Sequence, residues 1–537
     1  MKLLFVIDSN PVIFVFISTI FLLFYVNYRT LMRVSDAVYL LFSTLVLIFV
    51  RLPAILTNRE FNVDESQMIT QAHTLWHFPV FWEYVDGTTS GPLNSYALFI
   101  GRIITGDFDY IAARITGIIL IIVTLTALYY ALKLLFGLSS ARLSTSVIVL
   151  FYAYNQFHDL VHFTSETVSI ALISVSIWLL AVIWKGNPKF AHGFWLGFML
   201  MLIPFAKLQA LPIAFFLGCF CLVLSFSSGH TRPATGVVTG TLSVLMIVAA
   251  LLSAGSLWED FWNYYIMGNL LYGREFSLEE AIAFVKKGML ESDGLLVLLF
   301  LTTVFFIVSR IYGRKERNTR FMGPFLALLF LVSIFCIVKP GWYFVHYYLL
   351  LVPPIAFINA DSFRSLSGAL SEKSLPRARI IWGAAAFLMG ANLWFFNLKD
   401  HNALNRYPVP YPLQQKPAVK EILKYTKPGD FLAIWGWWPD GYVQTGTIQA
   451  TAENHAVRGL MENSLSPLYI ERYVRNLTRS RPPVFVDPVG SSYNFPFVHR
   501  SDYFEEVPQV KDYIEKNYKH VSTVEEVRIF LRKDLAQ

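Results

Sequence analysis

Residues 110–136 read YIAARITGIILIIVTLTALYYALKLLF, and this run decides the fold class. It is longer than the roughly 20 apolar residues that a helix needs to cross the hydrocarbon core of a bilayer. Its charges, Arg114 and Lys133, stand near its two ends. Inside lipid the backbone N–H and C=O groups have no water to bond, so the run must satisfy them within itself as a helix. Working outward, similar runs recur near Pro11–Tyr28, Asp36–Leu56, Ala141–Tyr154, Glu166–Trp184 and Ala191–Phe205. Further runs lie near Leu208–Phe226, Pro233–Ala254, Leu295–Ile311, Phe321–Val338, Phe344–Asn359 and Arg379–Phe396. Together they predict roughly twelve spans, of which the first is shortened by Asp8 and Pro11. Met1-Lys2 leads into this first run with no small-residue cleavage site after a short apolar core, so it reads as a retained helix.

Composition follows from these runs. Of 537 residues, 55% are hydrophobic and only 15% charged, where soluble domains carry about 25% charge. The net charge of +7 points to no nucleic-acid partner, because the basic residues sit in short loops between the apolar runs. The cysteines Cys219, Cys221 and Cys336 all lie in apolar runs, with neither disulfide-framework nor metal-ligand spacing.

Those loops give an orientation. One alternate set carries Arg29, Arg33, Arg142, Lys185, Lys189, Arg232, Arg310, Arg314, Lys315, Arg317, Arg320, Arg364, Lys373, Arg377 and Arg379. The other set is acidic: Glu60, Asp64, Glu65, Glu83, Asp86, Asp107, Asp109, Asp159, Glu166, Glu259 and Asp260. The positive-inside rule puts the basic set in the cytoplasm and the acidic set outside. Residues 1–397 are then expected to form a transmembrane core whose first outer loop, 57–109, carries acids. Residues 398–537 are more polar and mix two periods. Strands are expected at Phe431–Trp437, Pro483–Asp487 and Val527–Leu531, and helices at Val419–Tyr425 and Val510–Tyr518, giving a small extracytoplasmic α/β domain.

The outer loops hold the candidate chemistry. Asn62-Val63-Asp64-Glu65 has capping-box spacing and reads equally as a plain helix start. As a functional element it offers Asp64 as a general base, since a carboxylate near a low-dielectric face has a raised pKa suited to taking a hydroxyl proton. Lys207 stands between two short apolar spans, where a charge is costly without a purpose or a route to the interface. His158, Asp159 and His162 have a loose ligand spacing that reads as loop polarity, so no metal is assigned. Trp435, Trp437 and Trp438 read as strand core, with sugar stacking as the other possibility. Asn476-Leu477-Thr478 is a sequon on paper.

Taken in order, several elements resemble the GT-C superfold of polyprenyl-phosphate-sugar-dependent glycosyltransferases, above all the protein O-mannosyltransferases and the aminoarabinose transferases. Asp64-Glu65 resembles that family's acidic pair in the first outer loop. Pro92-Leu93-Asn94-Ser95-Tyr96 resembles its Pro-Leu-x-x-Tyr stretch, and Arg114 the arginine heading the next span. Thr164-Ser165-Glu166, Lys207-Leu208-Gln209 and His346-Tyr347-Tyr348 before Pro353-Pro354 are similar to later family elements. Ala206, where the family often has Thr, and the extra first span depart from the pattern.

The resemblance implies a GT-C transmembrane core in a bacterial inner membrane, with its active site facing the periplasm. It implies an inverting transfer of a hexose or pentose from a polyprenyl-phosphate donor to an acceptor hydroxyl on protein, lipid or glycan, with no cofactor required. Asp64, Glu65 and Glu166 would be catalytic. Lys207, Arg114, Lys339 and Arg274 would hold the donor phosphate, Arg274 and Lys339 reading also as plain loop charges. Gln209, His346, Tyr347 and Tyr96 would bind substrate. A transporter or lipid-linked-sugar flippase is the alternative. Few charges lie deep in the spans and no internal repeat is evident, which fits transport less well. An inactive envelope scaffold is a third reading.

Overall fold

A computed structural model describes residues 11–155, 157–186, 188–291, 293–313, 321–369, 375–397, 413–496, 498–499 and 502–536. Met1, Lys2, Asp8, Arg314, Lys315, Arg317, Arg320 and Lys373, used above, lie outside them, as does the expected 397/398 boundary on its C-terminal side.

Each expected span has a helical counterpart. Six helices among the described residues are long and apolar enough to cross a membrane: Asp36–Leu56, Tyr110–Phe136, Ser165–Lys185, Leu208–Ser227, Thr231–Ala254 and Gly294–Tyr312. Shorter apolar helices occupy Phe16–Val26, Phe190–Ala206, Met322–Val338 and Arg379–Ala391. Helices Leu138–Tyr154 and Val352–Ala369 complete the set, the latter entered through a 3-10 turn at Val345–Leu351. The chain is an integral multi-pass membrane protein.

The chain divides into two compact units. A helical unit comprises Met1–Leu56, Gly117–Val248 and Gly273–Val409; a sheet-bearing unit comprises Thr57–Thr116, Ala249–Tyr272 and Pro410–Gln537. The sheet-bearing unit thus gathers the first acidic loop and a later one with the C-terminal segment.

Within the helical unit, helices Phe190–Ala206 and Thr231–Ala254 touch backbone to backbone. A Cβ on Gly197 would lie 2.0 Å from the Val237 carbonyl oxygen, and one on Gly240 2.0 Å from that of Phe194. Gly193-x3-Gly197 faces Gly236-x3-Gly240, the small-residue spacing that lets membrane helices pack without side chains between them.

The sheet-bearing unit carries five strands: β1 (Phe431–Ile434), β2 (Ile448–Gln449), β3 (Val484–Asp487), β4 (Tyr518–Val524) and β5 (Val527–Arg532), in the order β2-β1-β3-β5-β4. β1 pairs parallel with β2 and β3, while β5 pairs antiparallel with β3 and β4. Period-2 alternation sorts the core. Leu432, Ile434, Val484, Val486 and Ile529 face one side with Trp438, and Ala433 and Phe485 face the other with Trp435 and Trp437. All three tryptophans are core residues, and Asn476 of the sequon is buried. The expected strands and helices are present. β2, β4 and the helices Asp440–Thr445 and Ser466–Ser480 were not foreseen.

The three stretches of this unit are tied by buried charge. Arg472 pairs with Asp86 of the acidic loop and Glu453, and its guanidinium lies 3.3 Å over the ring of Tyr264. Asn454 donates to the Gln67 carbonyl at 3.0 Å, and the Asp86 N–H to that of Ala452 at 3.1 Å. Burial, with Asp86 adding to it and Arg472 opposing, pushes the Glu453 carboxyl up to about 7.

Candidate active site

The sequence-predicted residues fall into two groups, one in each unit. In the sheet-bearing unit, Asn62 caps the helix Val63–His77, its side-chain oxygen accepting from the Asp64 N–H at 2.8 Å. Asp64 and Glu65 therefore stand in the first turn, a hundred degrees apart around the axis. Glu65 is fully buried. It receives Arg114 in a two-pronged pair, Nε to Oε1 at 3.0 Å and Nη2 to Oε2 at 2.7 Å. Arg114 also donates to the carbonyls of Thr57 and Arg59, and the guanidinium lies 3.6 Å over Phe61. Arg114 was expected on the donor phosphate and Glu65 among the catalytic acids. In the structure they hold each other and close the loop before the helix. Asp64 is half-buried. Tyr96 lies elsewhere in this unit, on Pro92–Ala97, and donates to the Pro79 carbonyl at 3.1 Å.

Beside this helix, Glu60 accepts from Ser66, whose hydroxyl also bonds that of Tyr110 at 2.8 Å. Tyr110 donates to Asp440 at 2.6 Å, and Lys416 reaches Asp440 at 2.7 Å. Loss of hydration, reinforced by Asp440 and opposed by Lys416, pushes the Glu60 carboxyl up to about 8.

In the helical unit, Lys207, Glu166, His346 and Tyr347 meet in one buried cluster. Lys207 follows Phe190–Ala206, a helix with Pro204 in its last turn, and adopts extended backbone before the 3-10 turn Leu208–Ala210. Lys207 is only 3% exposed. It pairs with Glu166, donates to Ser165 Oγ at 2.6 Å and sits 4.6 Å over the Tyr347 ring. Glu166 lies in the first turn of Ser165–Lys185 and is wholly buried. Its Oε2 is 4.0 Å from Nε2 of His346. On its other side, His346 Nδ1 is 3.2 Å from both oxygens of Asp159, and its backbone N–H donates to Asp159 at 3.1 Å. Burial alone would raise the Asp159 carboxyl, but the His346 imidazole holds it well below the usual carboxylate range. Gln209 donates to the Cys336 carbonyl at 2.5 Å, clipping the turn after Lys207.

Arg274 and Lys339 stand apart from these contacts. Arg274 donates to the Gly341 carbonyl at 2.9 Å and pairs with Glu280 at a half-exposed position. Lys339 is exposed at the C-terminus of Met322–Val338, where a cation complements the helix dipole.

One contributor went unnoticed in the sequence. Arg51, inside the span Asp36–Leu56, is buried and donates to the carbonyls of Tyr152 at 2.7 Å, Leu160 at 3.1 Å and Val161 at 3.3 Å. It fixes the turn carrying Asp159 and His162. The signal was available: an arginine flanked by Val50 and Leu52 needs buried acceptors.

This arrangement of helices has solved counterparts. The chain overlays the crystal structure of ArnT from Cupriavidus metallidurans bound to undecaprenyl phosphate with a TM-score of 0.59. That overlay covers 94% of this chain and 100% of ArnT at 11% identity. The chain has the GT-C fold. The apo form of the same ArnT gives 0.56, at 12% identity over 92% of this chain and 98% of ArnT. No family model matches the sequence, and no curated protein matches it. At this identity the GT-C likeness lives in helix order and packing.

Proposed function

We propose that the chain is a membrane glycosyltransferase that moves a sugar from a polyprenyl-phosphate donor to an acceptor hydroxyl on the extracytoplasmic face. The observation that carries this reading is the end-to-end likeness to ArnT with undecaprenyl phosphate bound. Buried Lys207 adds support. A lysine enclosed by Glu166, Ser165 and Tyr347 is a compact, swivelling cation. It suits a phosphate whose negative charge grows as it leaves.

In the proposed reaction Asp64 takes the proton from the acceptor hydroxyl. The freed oxygen attacks the anomeric carbon and the bond from that carbon to the phosphate oxygen breaks. The polyprenyl phosphate departs as an anion stabilised by Lys207, which turns toward it from Glu166. A single displacement inverts the anomeric centre. Glu166 and His346 hold Lys207 and the sugar hydroxyls in place, with Tyr347 beneath the ammonium. The sugar is a hexose, mannose among them, or a pentose, and the acceptor is a protein, lipid or glycan of the cell envelope. The acidic loops and C-terminal segment face the periplasm, and residues 398–537 serve as the soluble domain.

Protein in lipid, supplied with labelled undecaprenyl-phosphate sugar, tests this. Wild type should release or transfer sugar. Asp64→Asn should lose about 10²–10⁴-fold in rate, the range for a positioned general base. Wild-type turnover retained in both Asp64→Asn and Lys207→Ala, or none in wild type, overturns the reading.

A further inference from the structure

Asp159, His162 and His346 bring three donor atoms, one from each side chain, within 4.8 Å of one another, all on buried residues of the helical unit. Asp159 and His162 come from the turn after Leu138–Tyr154, and His346 from the 3-10 turn before Val352–Ala369. We infer that these three residues form a binding site for a divalent transition-metal ion, zinc by the character of the ligands. The site is argued from its own side chains and does not depend on the transferase reading.

The decisive residue is His162. Its Nδ1 is 3.1 Å from the His158 carbonyl oxygen. A carbonyl only accepts, so Nδ1 carries the proton and the lone pair is on Nε2. Nε2 is buried and has no hydrogen-bond partner, in a residue only 5% exposed. A lone pair sealed from water without a donor costs free energy. The same arrangement, one ring nitrogen donating to a backbone carbonyl and the other bare, is how a protein sets a histidine to ligate a metal. Arg51, gripping the carbonyls of Leu160 and Val161, holds the intervening backbone still.

Charge points the same way. The cluster buries two carboxylates, Asp159 and Glu166, with the ammonium of Lys207 on the second. A divalent ion beside Asp159 would supply positive charge where the His346 imidazole now bridges the two acids. Two histidine nitrogens and a carboxylate oxygen match zinc sites that keep an open position. In a tetrahedral site ligands about 2.1 Å from the ion stand about 3.4 Å apart. Donors that lie within 4.8 Å of one another must therefore draw in by up to about 1.4 Å on loading, through χ rotations of the three side chains.

The test is metal binding itself. Chelator-stripped protein in detergent is equilibrated with Zn²⁺, gel-filtered and analysed for metal, and is titrated with Co²⁺ in parallel. Wild type should retain about one equivalent of Zn²⁺ and give the visible absorption of Co²⁺ with nitrogen ligands. His162→Ala and Asp159→Asn should each weaken binding by more than about 100-fold, since even outer-shell losses cost 10–100-fold. Wild type that holds no zinc, or variants that hold as much as wild type, overturns the site. Should both variants aggregate, the Co²⁺ spectrum of wild type decides: nitrogen-ligand bands support the site and their absence overturns it.

Discussion

Two buried carboxylate–cation pairs, Glu65–Arg114 and Glu166–Lys207, are alike in charge and burial and differ in construction. Arg114 spends its fork on both oxygens of Glu65 and on two backbone carbonyls. A planar, permanently charged group so engaged is held in one orientation, and its effect is to fix a loop. Lys207 presents a small ammonium to one carboxylate, one hydroxyl and one ring. It can swing among acceptors while keeping its charge. Rigid closure and adaptable charge are thus divided between two residues that the sequence alone ranks together as cations near a membrane face.

The largest expected effect separates the pairs by stability. Arg114→Met leaves Glu65 buried without its partner and should cost about 3–5 kcal/mol in denaturant unfolding. The double change Arg114→Met with Glu65→Leu should recover most of that, and sugar transfer with it. If transfer stays absent in a well-folded double variant, Arg114 acts on substrate and the contrast fails.

Next comes Lys207→Met, expected to slow transfer about 10²–10³-fold, as for loss of one preorganised donor to a developing anion. Adding Glu166→Gln should restore thermal stability without restoring rate. Rate and stability returning together would make this pair a structural lock like the other.

A smaller effect tests the packing around Lys207. Gly197→Val thrusts a side chain into the Val237 carbonyl and should cost about 1–3 kcal/mol. It would also shift the helix that ends at Lys207, so KM for the donor should rise more than kcat falls. A neutral result would mean that the helix pair does not set the position of Lys207.

The mildest test concerns the loop that Arg114 closes. Glu60 and Glu453 have folded pKa values raised to about 8 and about 7 from an ordinary 4.5. The folded state then binds these protons more tightly than the unfolded chain. Their contribution to stability is full below about pH 4.5 and is lost as pH rises through 7 to 8. Glu60→Gln should remove the upper part of that decline, so that its stability relative to wild type improves between pH 6 and about 9. Parallel pH curves for the two proteins would show that Glu60 does not titrate in this window.

Much of this architecture was readable without coordinates, and for a definite reason. Apolar runs such as 110–136 are local: their length and lack of charge force a helix wherever they insert. The alternation in Phe431–Ile434 and Val484–Asp487 is local as well. β2 escaped notice because two residues have no period. β4 escaped because its pattern, exposed at Lys519 and His520, carries little apolar signal.

Site chemistry was legible only as a roster. The residues Asp64, Glu65, Glu166, Lys207 and His346 stood out by charge or polarity beside apolar spans. Nothing in their spacing said that Glu65 and Arg114, 49 positions apart, would hold each other. Nor did it say that His346 would reach across 187 positions to Asp159. The sequence by itself determined a helical membrane chain with a polar α/β segment, because hydrophobic length and period are set by neighbours along the backbone. Only the tertiary structure decided which charges are locked, which can turn and which nitrogen lacks a proton donor, because those depend on partners brought together by packing.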